Sequence, residues 1–174
     1  MGSEMCIRDR CNAYRLQADN LRRVAASLQT AMSTIDKERA SRAKEQSAQY
    51  YERFFALCDD FLTVMPDHKY ARDFVNMMGA VYFGNRRYDD LLTKFAGYEN
   101  GVMNSKKGFV NRPEFRNSPG MPTAHYMSGL ALLATGRFDE AKPMLSAVVG
   151  VNVEGLPLDD GGLATYDEAD SSGE

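Results

Sequence analysis

The feature that most limits the possible folds of this chain is an N-terminal run without glycine or proline. Residues 3–65 contain neither, and these two residues are the main interrupters of regular secondary structure. The run therefore predicts an all-α fold with a long N-terminal helix and no β-strand. Apolar side chains recur in it at spacings of three and four, which places them on one helix face: Leu21, Val24, Leu28, Met32 and Ile35.

The segment after this stripe, residues 36–45, is dominated by charged side chains. Glu38 and Arg42 are four residues apart, a spacing at which side chains pair on a helix surface. The segment is therefore interpreted as a solvated helix or a polar turn between helices. A coiled-coil stalk is the alternative, although the stripe lasts about two heptads and three or four are needed to indicate one firmly.

A second apolar stripe ends at Pro66, and it predicts another strongly buried helix face: Tyr51, Phe54, Phe55, Cys58, Phe61, Leu62 and Met65. Further helices are predicted at about residues 70–83, 88–95, 123–134 and 138–149. Residues 97–122 are rich in glycine, proline and asparagine, which predicts a long inserted loop.

The two ends of the chain differ from its middle. Residues 5–10, Met-Cys-Ile-Arg-Asp-Arg, resemble the translation of a sequencing adaptor, so residues 1–10 are interpreted as a non-native leader and the native chain is expected to begin near Cys11. Residues 151–174 hold seven acidic side chains and no Lys or Arg, which predicts an acidic disordered tail over 150–174. Residues 11–49 form an N-terminal helical segment, followed by a repeat region over 50–149.

An internal repeat is visible at a constant offset of 50 residues. Each copy consists of an apolar helix, a short polar turn, an aromatic residue followed by two acids, and a second apolar helix. The glycine allows close approach of the two helices, and the first acid, Asp89 or Asp139, is expected to cap the second helix. The matched positions are Gly79 with Gly129, Tyr82 with Leu132, and residues 87–91 with residues 137–141.

The second copy resembles the core of a tetratricopeptide repeat, which has a small residue in its first helix, a turn glycine, an aromatic residue and then Asp-Glu-Ala. Here these are Gly129, Gly136, Phe138 and Ala141. The first copy resembles the motif through Gly79, Tyr82 and Tyr88, with Arg86 where the turn glycine usually lies. The usual period is about 34 residues, so the observed offset fits a standard unit that carries an insertion of about 16 residues. The resemblance covers roughly residues 50–149.

This resemblance implies a right-handed solenoid of helix-turn-helix units, with a concave groove lined by the first helix of each unit. It also implies a protein-binding scaffold, and no enzyme, that takes a peptide or helical segment of a partner. Residues 65–71 are similar to a pattern in bacterial cell-envelope repeat proteins, so a bacterial cytoplasmic or periplasmic location is expected. The implied groove positions are Asp73, Asn76, Ala80, Phe83, Thr123, Tyr126, Leu130 and Leu133.

Few residues have catalytic or metal-binding potential. His68 and His125 have no acidic or cysteine neighbours at ligand spacing, so His68 is expected to be solvated and His125 partly buried. Cys11 and Cys58 lack CxxC spacing, which argues against a zinc site or a disulfide framework, and Cys58 is expected in the core. No catalytic residue, metal or cofactor is predicted, and no apolar stretch reaches the length of a membrane-spanning helix.

Two alternative functions stay open. One is that the chain is the non-catalytic repeat region of a larger enzyme. The other is nucleic-acid binding through the basic part of the loop, because cations interleaved with aromatic rings bind single strands. The formal net charge of -3 and the nearby Glu99 and Glu114 make nucleic acid the less favoured partner. The basic loop contains Lys106, Lys107, Arg112 and Arg116, with Phe109 and Phe115 between them.

Overall fold

The structure is a computed structural model that describes residues 2–30 and 33–149, with side chains from residue 7 to residue 148 in those ranges. The described chain is mostly helical, as predicted. The acidic tail predicted over residues 150–174 lies outside the described residues, as does Met32 of the first stripe. The six helices are α1 (Gly2–Gln29), α2 (Thr34–Val64), α3 (Ala71–Gly84), α4 (Tyr88–Ala96), α5 (Met121–Ala134) and α6 (Phe138–Val149).

The N-terminal run forms two helices rather than one. α1 ends at Gln29 and α2 begins at Thr34, and the two pack antiparallel along their lengths. The charged segment 36–45 lies within α2, so it is a helix and not the turn. The chain therefore reverses direction between α1 and α2 without a glycine or a proline. The packing of α1 against α2 stabilises the two helices and offsets the cost of interrupting the helix between them.

On the α1 side, the interface between α1 and α2 consists of small side chains. From residue 7 onward, the buried positions of α1 are Cys11, Ala18 and Ala25, which recur every seven residues. The stripe predicted from large apolar residues is buried only in part, since Leu21 and Leu28 are half-buried, Val24 is 48% exposed and Ile35 is 63% exposed. Small residues allow the two helix backbones to approach closely. A polar side chain of one helix can then contact the backbone of the other helix directly. The matching buried positions of α2 are Ala40, Ala43, Ser47, Tyr51, Phe54 and Cys58.

Helices α3 and α4 form one hairpin, and α5 and α6 form a second with the same turn. Arg86 in the first turn and Gly136 in the second both have positive φ, at 55° and 76°. In each turn the following residue donates its N–H to the carbonyl five residues earlier, at 2.9 Å from Arg87 to Tyr82 and at 2.8 Å in the second copy. The internal repeat is therefore present in the backbone, and Arg86 adopts the conformation that glycine supplies in the second copy.

The acids that follow each turn do not cap the second helix, contrary to expectation. α4 begins at Tyr88, its N-cap residue is Arg87, and no side chain caps it. Asp89 lies inside the first turn of the helix, beyond the capping position, where it favours the helix only through the dipole. Asp90 instead accepts a hydrogen bond from Arg87 Nε at 2.6 Å.

Both repeat glycines are sites of close packing, but against different neighbours. A Cβ atom at Gly129 would lie 2.5 Å from Leu145 Cδ2, so this glycine brings α5 and α6 together, as predicted. A Cβ atom at Gly79 would lie 2.8 Å from Met127 Cγ. Gly79 therefore brings α3 close to α5 of the next hairpin rather than to α4, its own hairpin partner.

The segment between α4 and α5 is an ordered insertion rather than an irregular loop, and it spans residues 97–120 because α5 already begins at Met121. It starts with two short antiparallel strands, β1 (Tyr98–Glu99) and β2 (Val102–Met103), so the prediction of no strand is wrong. Asn100 and Gly101 join them with positive φ at both positions, which is the turn that two-residue hairpins favour. Two 3₁₀ helices follow, at Phe109–Asn111 and Pro113–Phe115.

Candidate partner-binding groove and the inserted segment

The expected groove positions on α3 face the N-terminal helix α1. Asn76 and Ala80 are exposed, and with Arg15, Asp19 and Arg22 of α1 they line a depression of about 280 Å³. Asp19 is held in place because Tyr51 of α2 donates a hydrogen bond to it at 2.5 Å. Burial, and then this hydrogen bond, raises the pKa of Tyr51. α1 therefore forms one polar wall of the groove, a contribution that the sequence did not reveal.

Asp73, at the start of α3, is half-buried and forms an ion pair with Arg8 at 3.6 Å. The Arg8 guanidinium also lies 5.4 Å from the centre of the Tyr70 ring. Arg8 belongs to the segment interpreted as a non-native leader. The Asp73 side chain stays 47% exposed beside Arg8.

A second depression lies at the N-terminal end of α5. Thr123 and Tyr126 line it with Arg72 of α3 and Val148 of α6, and its volume is about 320 Å³. The Tyr126 side chain is 44% exposed. The structure thus places four of the eight expected positions in two depressions, one bounded by α1 and one bounded by the end of α6.

The remaining groove positions are more closely tied to the fold. Phe83 is half-buried, and its ring packs edge-on against Tyr88 with ring centres 5.1 Å apart. Leu130 is half-buried, and Leu133 is 38% exposed. Phe83 therefore supports its own hairpin as well as the groove surface, whereas Leu133 lies on the same helix as Tyr126 and extends the apolar surface of α5.

The repeat-signature residues follow the same division between core and surface. Tyr82 is buried and stacks on Phe55 of α2 with ring centres 4.2 Å apart, and Ala141 is fully buried. Phe138 occupies the position of Tyr88 in the second copy but is 67% exposed. Leu133 replaces Phe83 there, so the aromatic pair that closes the first hairpin is not repeated in the second.

The aromatic rings of the basic insertion are not available to stack on bases. Phe109 and Phe115 are buried, and they stack on each other with ring centres 4.2 Å apart. Lys107 pairs with Glu99 and Arg112 pairs with Glu114, while Lys106 and Arg116 are exposed. The insertion thus packs its phenylalanines back on the helices, and two of its four cations are paired with neighbouring acids.

Asn111 organises the insertion. Its side-chain amide donates to the carbonyl oxygens of Ala96 at 2.9 Å and Lys107 at 2.8 Å. Gly97 and Gly108 lie against each other with positive φ, and a Cβ atom at Gly108 would lie 2.2 Å from the backbone nitrogen of Gly97. Sequence reasoning missed these contacts, although the Asn100-Gly101 pair was a recognisable hairpin signal.

The insertion is also anchored to both of its neighbours in the fold. The Tyr98 hydroxyl donates to Glu140 of α6 at 2.9 Å, and Arg137 stacks over the Tyr98 ring at 4.4 Å from its centre. Beside the insertion, Lys94 of α4 pairs with Asp59 of α2, whose pKa is raised by burial. The Tyr98 and Asn111 contacts hold the insertion against α6 and α4.

The two histidines show no sign of a metal site. His125 is half-buried, and its Nδ1 atom is buried without a hydrogen-bond partner among the described residues. Burial lowers the pKa of His125. His68 packs edge-on against Phe61 with ring centres 5.5 Å apart and accepts a hydrogen bond from the Tyr70 N–H at 3.2 Å. Within residues 2–30 and 33–149, no three His, Cys, Asp or Glu side chains are grouped as metal ligands would be.

No helix in the described part of the chain has the length and apolar character needed to cross a membrane. Comparison with known protein families, with curated proteins and with solved structures finds no match for this chain.

Proposed function

We propose that this chain is a tetratricopeptide-like helical scaffold that binds a peptide or helical segment of a partner protein across α1, α3 and α5. The observation that carries the proposal is the exposed apolar surface of α5, where Tyr126 is 44% exposed and Leu133 is 38% exposed. Rigid aromatic side chains are frequent anchors of protein interfaces.

The phenylalanines of the insertion pack away from this surface, and only Pro119 at its end lines the second depression beside Tyr126. The two phenylalanines line a cavity of about 260 Å³ together with residues of α2 and α4, among them Leu62 and Phe95. The ring that packs against Phe83 is that of Tyr88, which belongs to the same hairpin. A different arrangement, in which the insertion covers Phe83 and Tyr126, is therefore less favoured.

The chemistry of the two walls suggests which segment binds. The α1 wall carries Arg22 and an Arg15 that is paired with Asp19 at 3.4 Å, with Arg72 of α3 beside the second depression. The α5 wall is apolar and aromatic. A partner segment with acidic residues on one side and large apolar residues on the other matches both walls. Opposite charges align the segment along the groove, and its apolar anchors contribute most of the binding energy.

The proposal is tested by site-specific photocrosslinking in lysate of the source organism. A photoreactive phenylalanine analogue replaces Tyr126 in one protein and Val64, a 76% exposed residue of α2, in the control. We expect a discrete crosslinked protein at position 126 that is absent at position 64 and is lost when Leu133→Ala is added. Each variant must first show the melting temperature of the parent.

A third protein separates this function from nucleic-acid binding. It carries Lys106→Ser, Lys107→Ser, Arg112→Ser and Arg116→Ser together. If this protein loses the partner while Tyr126→Ala with Leu133→Ala retains it, the groove proposal is wrong and the insertion is the functional surface. A partner that is removed by nuclease treatment leads to the same conclusion.

A further inference from the structure

Two cysteine side chains that are 47 residues apart in sequence meet inside the α1–α2 interface. Cys11 and Cys58 are free thiols with their sulfur atoms 3.7 Å apart, and both side chains are fully buried. The two thiols therefore contact each other in addition to packing in the core. Their separation and the absence of a CxxC motif hid it in the sequence.

The two helices also approach each other closely elsewhere along the same interface. Ser47 Oγ donates to the Ala18 carbonyl oxygen at 2.8 Å, seven residues along α1 from Cys11. Helix pairs with ordinary side chains lie about 8–10 Å apart between axes, and small residues permit a closer approach. Closing the sulfur separation from 3.7 Å to the roughly 2.05 Å of a disulfide therefore needs only a small movement of each side chain.

We propose that Cys11 and Cys58 form an intramolecular disulfide under oxidising conditions and that this bond fixes α1 as a wall of the groove. The oxidant is a low-molecular-weight disulfide of the oxidised glutathione class. One protein thiolate attacks it to form a mixed disulfide and releases one glutathione thiol. The second protein thiol then displaces the second glutathione, so two electrons pass to glutathione and the two protein protons are carried by its two thiols.

A hydrogen bond joins the two thiols in the closed interface. Cys58 donates to Cys11 Sγ, and this hydrogen bond lowers the pKa of Cys11. Burial raises the pKa of Cys58. Because both side chains are buried, the first attack requires α1 to separate briefly from α2, and the reaction is slow in the folded protein. This separation breaks the hydrogen bond, so either cysteine can make the first attack and the other then resolves the mixed disulfide.

The test uses the full chain with Cys6→Ser, so that only the two buried thiols remain. The folded protein is incubated with oxidised glutathione, free thiols are alkylated after denaturation, and the intact mass is measured. We expect a product about 2 Da lighter than the reduced protein that carries no alkyl group. We also expect a melting temperature that is higher by about 5–15 °C and returns to the original value on reduction.

Two variants that each lack one of the two buried cysteines serve as controls. Cys6→Ser with Cys11→Ser, or with Cys58→Ser, should stop at a mixed disulfide or a free thiol and show no rise in melting temperature. Two alkylated cysteines in the oxidant-treated parent would overturn the proposal, and so would a disulfide that leaves the melting temperature unchanged or lowers it. None of these readouts depends on a partner protein, so they are independent of the groove proposal.

Discussion

At the scale of single residues, glycines in this chain are distinguished by what surrounds them and not by their backbone angle alone. Gly101 and Gly108 have nearly the same positive φ, 81° and 82°. A Cβ atom at Gly101 would meet nothing within 4 Å, whereas at Gly108 it would meet the Gly97 backbone at 2.2 Å. A backbone neighbour cannot rotate away as a side chain can, so the two positions carry different costs of substitution.

Gly108→Ala is expected to lower the free energy of unfolding by about 2–4 kcal/mol, combining left-handed strain with overpacking. Gly101→Ala carries the strain alone and should cost about 1–2 kcal/mol. Urea denaturation followed by circular dichroism measures both values. Equal losses for the two variants would show that the Gly97–Gly108 contact is not needed for stability.

His125 should make stability depend on pH. Burial lowers the pKa of His125 in the folded state. Below about pH 6.5, the unfolded chain therefore binds a proton at this residue more readily than the folded chain does. This contribution to the free energy of unfolding is present above about pH 6.5 and is lost as the pH falls through that value toward the lower pKa of the folded state. His125→Val, which takes the residue type of the matched position Val75, should remove this dependence in urea titrations.

Thr123→Val is the matched comparison, because it introduces the same residue type on the same helix and removes no titratable group. It should retain the pH dependence of the parent. If the His125→Val protein still loses stability below about pH 6.5 as steeply as the parent, burial of His125 is not the cause.

At the scale of elements, the insertion behaves as a small folded unit and not as a linker. Its hairpin, its two 3₁₀ helices and the Asn111 side chain satisfy its backbone groups internally, and Tyr98 ties it to α6. Unpaired polar groups next to a core are costly, so an ordered insertion of this length needs such internal partners.

Asn111→Asp should loosen the insertion with little change in side-chain size. An ionised carboxylate cannot donate to the Ala96 and Lys107 carbonyl oxygens, so the expected cost is about 2–3 kcal/mol. Limited trypsin digestion should then cut at Lys106 or Lys107 faster than in the parent. Asn117→Asp, at an exposed position of the same insertion, is the control. Unchanged protection of the Asn111→Asp protein would contradict the assigned role.

At the scale of the whole molecule, α1 is part of the fold although its first residues resemble a non-native leader. Residues 2–10 continue α1, and Ile7 packs against the core while half-buried. The Arg8–Asp73 ion pair joins side chains that are 42% and 47% exposed, and exposed pairs contribute little to stability. The buried small residues that hold α1 on α2 all lie at or after Cys11.

A chain limited to residues 11–150 should therefore unfold cooperatively, with a melting temperature within about 5 °C of the full chain. A chain limited to residues 31–150, which lacks α1, should lose the sharp transition because the facing surface of α2 is uncovered. Differential scanning calorimetry distinguishes the two. Loss of cooperative unfolding in the 11–150 chain would show that the leader or the acidic tail is needed for folding.

The sequence by itself determined the features that depend on neighbours along the chain. The helical content, the two matched hairpins and their turns follow from periodicity, glycine placement and the 50-residue offset, and these are local signals. Helix ends near Pro66, Gly84 and Gly136 were predictable for the same reason, since a residue that breaks a helix does so wherever it stands.

Only the tertiary structure decided which faces meet. Small residues carry little hydropathy signal, so the burial of Ala18 in place of Val24 could not be read from the pattern. The contact of Cys11 with Cys58, the α1 wall of the groove and the closure of Gly97 on Gly108 join residues that are distant in sequence. Such contacts depend on how the helices pack in three dimensions, which residue spacing along one helix does not specify.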